Sequence, residues 1–241
     1  MLLKAALNGN RAPGEHPKLP LTPSDLAGAA AESVAAGAGA IHLHPRDRSG
    51  VESLARDDVA RAVSAVRAAV GRIPVGVTTG AWIVSSPGER HSLVSAWDVL
   101  PDFASVNFHE EGAESLAAML LERGIGIEAG LCDARSAARW IQAGLAKLCL
   151  RVLVEPQDPD LPAALGTIAE IEAELDGAEM SAPRLLHGTG PTAWGLIEEA
   201  ARRGYDTRVG LEDTLELPDG SVAGGNAELV AEAIRLYARS G

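Results

Sequence analysis

The sequence predicts an α/β fold, a (β/α)₈ TIM barrel in which eight parallel strands lie inside a ring of eight helices. Short β-like runs alternate along the chain with alanine-rich helical stretches. Strands that are separated by helices pair in parallel. Eight such strand–helix units within 241 residues match the usual size of this barrel, about 250 residues.

The strand and helix segments follow from composition and from end signals. The predicted strands cover 2–8, 40–45, 74–80, 103–108, 125–131, 147–155, 183–188 and 207–213. The predicted helices cover 24–36, 57–70, 89–97, 113–123, 134–143, 161–176, 192–203 and 226–239. The first helix has a clear start signal, with Thr22 as N-cap, Pro23 at the first position and Asp25 at the third.

An open, doubly wound sheet is the alternative fold. It usually carries a glycine-rich GxGxxG turn after its first strand. Here the first strand is followed by NGNRAPGEHP, which does not match that motif. No linker or low-complexity tract divides the chain, so we expect one catalytic domain over residues 1–241.

Composition and charge exclude several classes of function. Hydrophobic residues make up 46% of the chain and aromatic residues 3%, which predicts an aliphatic core. The net charge of −12 argues against a nucleic-acid or membrane-surface partner. Two cysteines, no signal-peptide pattern and no long apolar run favour the reducing cytoplasm as location.

Polar residues concentrate toward the ends of the predicted strands, where a barrel of this type builds its active site. Burying such groups is costly unless they are paired or bind a ligand. They are Asn8, His42, His44, Thr78, Thr79, Ser105, Asn107, His109, Glu128, Arg151, Glu155, His187, Arg208, Glu212 and Asp213. We read Glu155 and Asp158 as solvated loop charges. For His109 and His187, a hydrogen-bonded structural position is as good an interpretation as a functional one.

The pair His42 and His44 indicates a metal site. Side chains two residues apart on a strand share a face, so both imidazoles can point at one ion. Zinc commonly takes such ligands, and a catalytic zinc usually has three from the protein. Glu212, near the end of the eighth strand, is the best third ligand, because in a closed barrel that strand neighbours the first and lies near the second. An HxH pair by itself is also compatible with a purely structural role.

Several blocks of sequence together resemble the β-keto acid cleavage enzymes, the group that includes the 3-keto-5-aminohexanoate cleavage enzyme. These blocks are HPKLPLTPSDLAGAAAESVAAGAGAIHLHPRD, VTTG, SVNF and RVGLED, in this order. The resemblance runs from about residue 3 to residue 235. It implies a barrel that uses a divalent metal, usually zinc, to convert a β-keto acid and acetyl-CoA into acetoacetate and a new acyl-CoA.

The resemblance also implies roles for individual residues. His42, His44 and Glu212 match the metal ligands, and Arg208 and Asp213 match a catalytic pair in which the aspartate is the base. Thr78 and Ser105 fall at hydroxyl positions near the substrate, and we place Asn107 with them. The family forms tetramers, so we expect a homo-oligomer.

Two loops carry further expectations. Arg11 stands where the aminohexanoate enzyme has a glutamate that faces the substrate amine, so it would favour a substrate carboxylate, unless it points to solvent. Gly188, Thr189 and Gly190 follow the seventh strand, where such barrels often bind phosphate. They are candidates for contacting CoA, although an ordinary glycine-rich turn is the alternative.

Two other functions remain as alternatives. A zinc-dependent hydrolase of the amidohydrolase type also begins with HxH, but on its first strand, and usually adds a lysine. This chain has three lysines, Lys4, Lys18 and Lys147, none at the carboxyl end of a predicted strand. The same count argues against a Schiff-base aldolase, which needs a lysine in the barrel. A binding barrel without activity would not need the five matched metal and catalytic residues.

Overall fold

A computed structural model describes residues 1–145 and 147–240, and its eight parallel strands form a closed barrel in chain order. The strands are β1 (Leu3–Ala6), β2 (Ala40–Leu43), β3 (Val75–Thr78), β4 (Phe103–Asn107), β5 (Gly126–Leu131), β6 (Arg151–Val154), β7 (Arg184–Leu186) and β8 (Asp206–Val209). The helices are α1 (Pro23–Ala35), α2 (Arg56–Val70), α3 (Pro87–Ser95), α4 (Ala113–Glu122), α5 (Ala134–Gln142), α6 (Leu161–Gly177), α7 (Ala193–Arg203) and α8 (Asn226–Ser240). The predicted barrel is confirmed.

The helices pack around the barrel on an aliphatic core that includes strand residues such as Ile41, Val77 and Ile127. The predicted start of α1 is confirmed as a capping box. The Thr22 hydroxyl accepts a hydrogen bond from the Asp25 amide at 3.2 Å, and the Asp25 carboxylate accepts one from the Thr22 amide at 3.0 Å. These bonds satisfy amide groups that would otherwise lack partners at the helix end.

The structure corrects the end of the last strand, because β8 stops at Val209 and residues 210–213 form a turn. Gly210 makes this turn possible, since a Cβ atom there would lie 1.9 Å from the carbonyl oxygen of Ala6 in β1. The turn brings Glu212 back toward Arg208. The two residues therefore meet across a tight turn, and the prediction of a last strand that continues to residue 213 was wrong.

Two of the predicted strand-end residues lie lower in the barrel. Arg151 is the first residue of β6, and its register partner is Glu128 in β5. The Arg151 guanidinium lies 3.2 Å from the Glu128 carboxylate and 3.2 Å from that of Asp206. Lys4 is fully buried and also pairs with Glu128. These charges form an internal ion-pair network below the strand ends, which explains their burial without a ligand.

Within residues 1–145 and 147–240, no helix combines the length and the apolar character needed to cross a membrane.

Candidate active site

A cavity of about 530 Å³ opens at the carboxyl ends of the barrel strands. Most of the predicted site residues line it, although they come from five different strands and their following loops. Those that line it are His42, His44, Thr78, Ser105, Asn107, Gly188, Thr189, Arg208 and Glu212. Arg11, Gly190 and Asp213 are not among the lining residues. Parallel strands explain the convergence, because their carboxyl ends all reach the same face of the barrel.

His42, His44 and Glu212 form a trio with metal-ligand geometry. Each offers a ligand atom within 4.8 Å of those of the other two. The Glu212 oxygens lie 3.7 Å from Nε2 of His42 and 3.6 Å from Nε2 of His44. Nδ1 of His42 and Oε2 of Glu212 are buried without a hydrogen-bond partner in the described residues. Such polar atoms are costly to leave unsatisfied, so the trio fits a bound cation.

His44 is held from two sides, although it lies one residue beyond β2. The Asn8 side chain accepts a hydrogen bond from the His44 amide and donates one to the His44 carbonyl, both at 2.9 Å. Nδ1 of His44 lies 2.5 Å from the Glu52 carboxylate. Because Nδ1 is engaged there, Nε2 is left to face Glu212, which is the usual arrangement of a carboxylate behind a metal-binding histidine.

Trp82 completes the support around Glu52. Its indole N–H donates to the second oxygen of Glu52 at 3.0 Å. The indole also stacks on the His44 ring, with centroids 6.2 Å apart and an interplanar angle of 28°. Neither Glu52 nor Trp82 was predicted from the sequence. Glu52 stands in the loop between β2 and α2, where it faces Arg46 in an isolated antiparallel bridge, and only that loop's shape brings its carboxylate back to His44.

Arg208 links two carboxylates at the edge of the cavity. Its Nη2 donates to Glu212 at 2.9 Å and to Asp213 at 2.6 Å. Burial alone would raise the pKa of Glu212, but Arg208 and the two histidines outweigh it and hold that pKa well below its ordinary value. For Asp213 burial prevails over Arg208, with help from the Glu212 charge, and raises the pKa to about 6.

Asp213 is 1% exposed and lies behind the cavity wall. Its Oδ2 has no hydrogen-bond partner among the described residues, and its Oδ1 is 3.9 Å from Nδ1 of His187. The Gly190 amide donates to the Asp213 carbonyl at 2.7 Å. That amide is therefore already paired, which removes support for Gly190 as part of a phosphate cradle.

Glu155 lines the cavity. The prediction that it is a solvated loop charge was therefore wrong. Its Oε2 lies 3.2 Å from Nε2 of His187. Burial raises the pKa of Glu155 to about 7, and burial also lowers the pKa of His187 well below its ordinary value, with Arg208 adding to the effect. A carboxyl group that titrates near neutrality in a cavity is a candidate for proton transfer.

The remaining predicted residues have specific partners. The Thr78 hydroxyl accepts a hydrogen bond from the Gly80 amide at 3.1 Å. The Asn107 amide donates to Glu110 at 3.0 Å. Arg11 donates from Nε to the Leu211 carbonyl and from Nη2 to the Glu212 carbonyl, the latter at 3.3 Å. Arg11 therefore braces the turn that carries Glu212, which argues against direct contact with a substrate carboxylate.

Three solved structures with similar barrels are each 20% identical or less to this chain and show the fold alone. The complex of ObcA with oxaloacetate superposes with a TM-score of 0.73 at 19% identity, over 91% of this chain. The ternary complex of ObcA with a C4-CoA adduct and oxalate gives 0.73 at 20% identity. This chain spans only 63% and 64% of those two chains. The 3-dehydroquinate dehydratase from Aquifex aeolicus VF5 gives 0.60 at 11% identity, over 99% of this chain and 98% of that one.

Sequence comparison identifies the family. The 3-keto-5-aminohexanoate cleavage enzyme of Fusobacterium nucleatum is 25% identical over 98% of this chain and 90% of its own length. The sequence model of the beta-keto acid cleavage enzymes matches residues 1–241. That match includes both histidines and the turn after β8 from which the cavity is built, and this chain belongs to the β-keto acid cleavage enzyme family.

Proposed function

We propose that this protein is a metal-dependent acyltransferase that exchanges acyl groups between a β-keto acid and acetyl-CoA. The products are acetoacetate and the acyl-CoA of the rest of the keto acid. The observation that carries this proposal is that Arg208 donates hydrogen bonds to both Glu212 and Asp213. Arg208 thereby links the metal-ligand trio to Asp213, the carboxylate that can act as a base.

The metal proposed for the trio is zinc, because two imidazoles and a carboxylate are a common ligand set for catalytic zinc. His42, His44 and Glu212 would hold it. A divalent cation there supplies Lewis-acid polarisation of the ketone of the keto acid, which favours loss of a proton from the neighbouring carbon. An Mn²⁺ or Fe²⁺ ion would supply the same chemistry through the same ligands.

Asp213 is the proposed base. The carbon between the ketone and the carboxylate of the keto acid loses a proton to it, and the resulting carbanion attacks the thioester of acetyl-CoA, releasing the CoA thiolate. Attack of that thiolate on the original ketone then breaks the carbon–carbon bond by retro-Claisen cleavage. Arg208 orients Asp213, and a pKa near 6 suits a base that works at neutral pH.

Asp213 lies behind the cavity wall, so a side-chain rotation is required for it to reach the substrate. Its Oδ2, which has no hydrogen-bond partner among the described residues, is the oxygen that becomes available on such a movement. Thr78, Ser105 and Asn107 line the cavity and are the proposed substrate contacts. Gly188 and Thr189 also line it, and we assign the thioester end of CoA to that side.

The proposal is tested with a substrate panel. Purified protein with zinc is mixed with acetyl-CoA and with neutral, cationic and dianionic β-keto acids, and acetoacetate is followed by chromatography. We expect acetoacetate from one charge class and none without acetyl-CoA. A metal-loaded protein that hydrolyses ester or amide substrates and forms no acetoacetate would support the alternative of a zinc-dependent hydrolase.

We also propose that the protein is a cytoplasmic homo-oligomer. Size-exclusion chromatography with light scattering tests the oligomeric state.

A further inference from the structure

We propose that Glu155 is a second acid–base residue of this cavity, and that it returns a proton to the carbon of the carbanion when acetoacetate forms. This inference rests on the function proposed above and adds a residue to it. Neither the resemblance of sequence blocks nor the composition of the chain pointed to Glu155, and its support comes from its position in the cavity.

Few carboxylates face the cavity. Among residues 1–145 and 147–240, only Glu155 and Glu212 contribute carboxylates to its lining. Glu212 is committed to Arg208 and to the two histidines. Glu155 is thus the one lining carboxyl group of the described chain that remains available for proton transfer. It directly follows β6, which is four strands from β2 in the closed barrel, so it stands across the cavity from the two histidines.

Glu155 is anchored through one of its two carboxylate oxygens. Its Oε2 is fixed by His187, while its Oε1 makes no hydrogen bond within the described residues. Oε1 lies close to Gly130 of β5. A Cβ atom added to Gly130 would lie 2.4 Å from this Oε1 and 2.6 Å from the side-chain oxygen of Asn107. The absence of a side chain at Gly130 therefore leaves room for one oxygen of a carboxyl group that is anchored through the other.

The surroundings of Glu155 leave it partly protonated at neutral pH. Burial raises the pKa of its carboxyl group to about 7, while positive neighbours oppose the shift and negative ones add to it. The ionisable groups that face it from the neighbouring elements are Lys4 of β1, Cys132 after β5, His187 after β7, Arg208 of β8, and Glu212 and Asp213 of the following turn.

The step balances with the groups already present. Asp213 holds the proton taken from the keto acid at the start. After the carbon–carbon bond breaks, the carbanion of acetoacetate takes the proton of Glu155, so the O–H bond breaks and a C–H bond forms with the electron pair of the carbanion. Glu155 is left as a carboxylate. Asp213 then releases its proton to water and Glu155 takes one up from water, so both return to their starting states. The complete reaction therefore neither consumes nor releases a proton.

The experiment uses label exchange, which needs no knowledge of the natural keto acid. Acetoacetate is itself a β-keto acid, so zinc-loaded protein should move the carbonyl-¹³C acetyl group of acetyl-CoA into acetoacetate. Native protein, Glu155→Gln and Glu155→Asp are compared from pH 5 to pH 9. Asp158→Asn is the matched control, because it removes a carboxylate three residues away that does not line the cavity.

We expect Glu155→Gln to lower kcat for the exchange by about 100-fold, with an unchanged KM and an unchanged zinc content. Native activity should fall as the pH rises through about 7, where Glu155 loses its proton. Glu155→Gln should lack this alkaline limb, and Glu155→Asp should keep it at a lower rate. Asp158→Asn should behave like native protein. Partial rescue by aspartate also separates proton transfer from a loss of folding.

Two results would overturn the inference while leaving the proposed function intact. One is a Glu155→Gln variant with native kcat and a native alkaline limb. The other is a rise in KM alone, which would make Glu155 a substrate contact. Native protein that transfers no label, while fully loaded with zinc, would overturn the proposed function itself and this inference with it.

Discussion

A carboxylate oxygen of Glu52 lies 2.5 Å from Nδ1 of the His44 imidazole. Glu52 stands in the loop between β2 and α2, and His44 is the first residue after β2. This contact sets the hydrogen on Nδ1 and leaves Nε2 as the ligand atom. The second oxygen of Glu52 is occupied by the Trp82 indole. His44 is therefore oriented by a chain of contacts that ends at the exposed rim of the cavity.

Replacing Glu52 should weaken metal binding without touching a ligand. For Glu52→Ala we expect a loss of zinc affinity of about 10- to 100-fold, the usual effect of removing such a partner of a histidine ligand. Competition with a chromophoric chelator measures it. Trp82→Phe is the matched control, since it leaves the carboxylate on His44 and should cost less. Equal zinc affinities for native protein and Glu52→Ala would show that Glu52 does not orient the ligand.

Glu212→Gln should lose the metal. The amide keeps the size and the contact with Arg208 but removes the negative charge that faces both histidines. Elemental analysis of the purified variant should find little zinc, whereas Asp219→Asn, in the exposed loop beyond the turn, should retain it. Full zinc occupancy in Glu212→Gln would overturn the assignment of this residue as a ligand.

Asp213→Asn should separate chemistry from metal binding. The variant lacks a proton acceptor but keeps an oxygen for the hydrogen bond to Arg208. We expect native zinc content together with a kcat for acetoacetate formation that falls by about 100- to 10,000-fold. A normal rate in this variant would clear Asp213 of its role as base and transfer that role to another group of the cavity.

Gly210→Ala should destabilise the protein, because the new Cβ would collide with the Ala6 carbonyl in β1. Urea unfolding should show a loss of about 1–3 kcal/mol, as expected for overpacking against a rigid neighbour. Gly28→Ala in α1 is the control, since nothing lies within 4 Å of its added Cβ. That change should stabilise the helix by about 0.5–1 kcal/mol. If Gly210→Ala unfolded like native protein, the turn after β8 would not need glycine.

The barrel and the trio could be predicted from sequence because their signals are local. Apolar strands alternate with alanine-rich helical stretches eight times, and His42 and His44 are two residues apart on the chain. Even Glu212 is found from its position near the end of the last predicted strand. The predicted end of the last strand was wrong, because the chain turns at Gly210. That turn depends on the close approach of Gly210 to Ala6 in β1, which no local sequence pattern reveals.

Glu155 and Glu52 could not be predicted in the same way. Glu155 precedes PQDPD, which is typical of an exposed loop, yet Gly130 on the neighbouring strand leaves space for its carboxyl group inside the cavity. Glu52 reaches His44 only because the loop after β2 folds back on itself. Arg11 shows the reverse case, in which a plausible ligand contact is replaced by carbonyl groups of a distant turn. The positions of Glu155 and Arg11 depend on contacts between residues far apart in sequence, and that of Glu52 depends on the path of a loop.

The most direct test of the central claim follows the acetyl group. Zinc-loaded native protein is incubated with carbonyl-¹³C acetyl-CoA and the keto acid that is most active in the panel, and acetoacetate is examined by ¹³C NMR. The proposed reaction places the label at the ketone carbon of acetoacetate and forms an equal amount of unlabelled new acyl-CoA. Label that stays in acetyl-CoA, or that appears as free acetate while the keto acid remains intact, would contradict acyl exchange at this site.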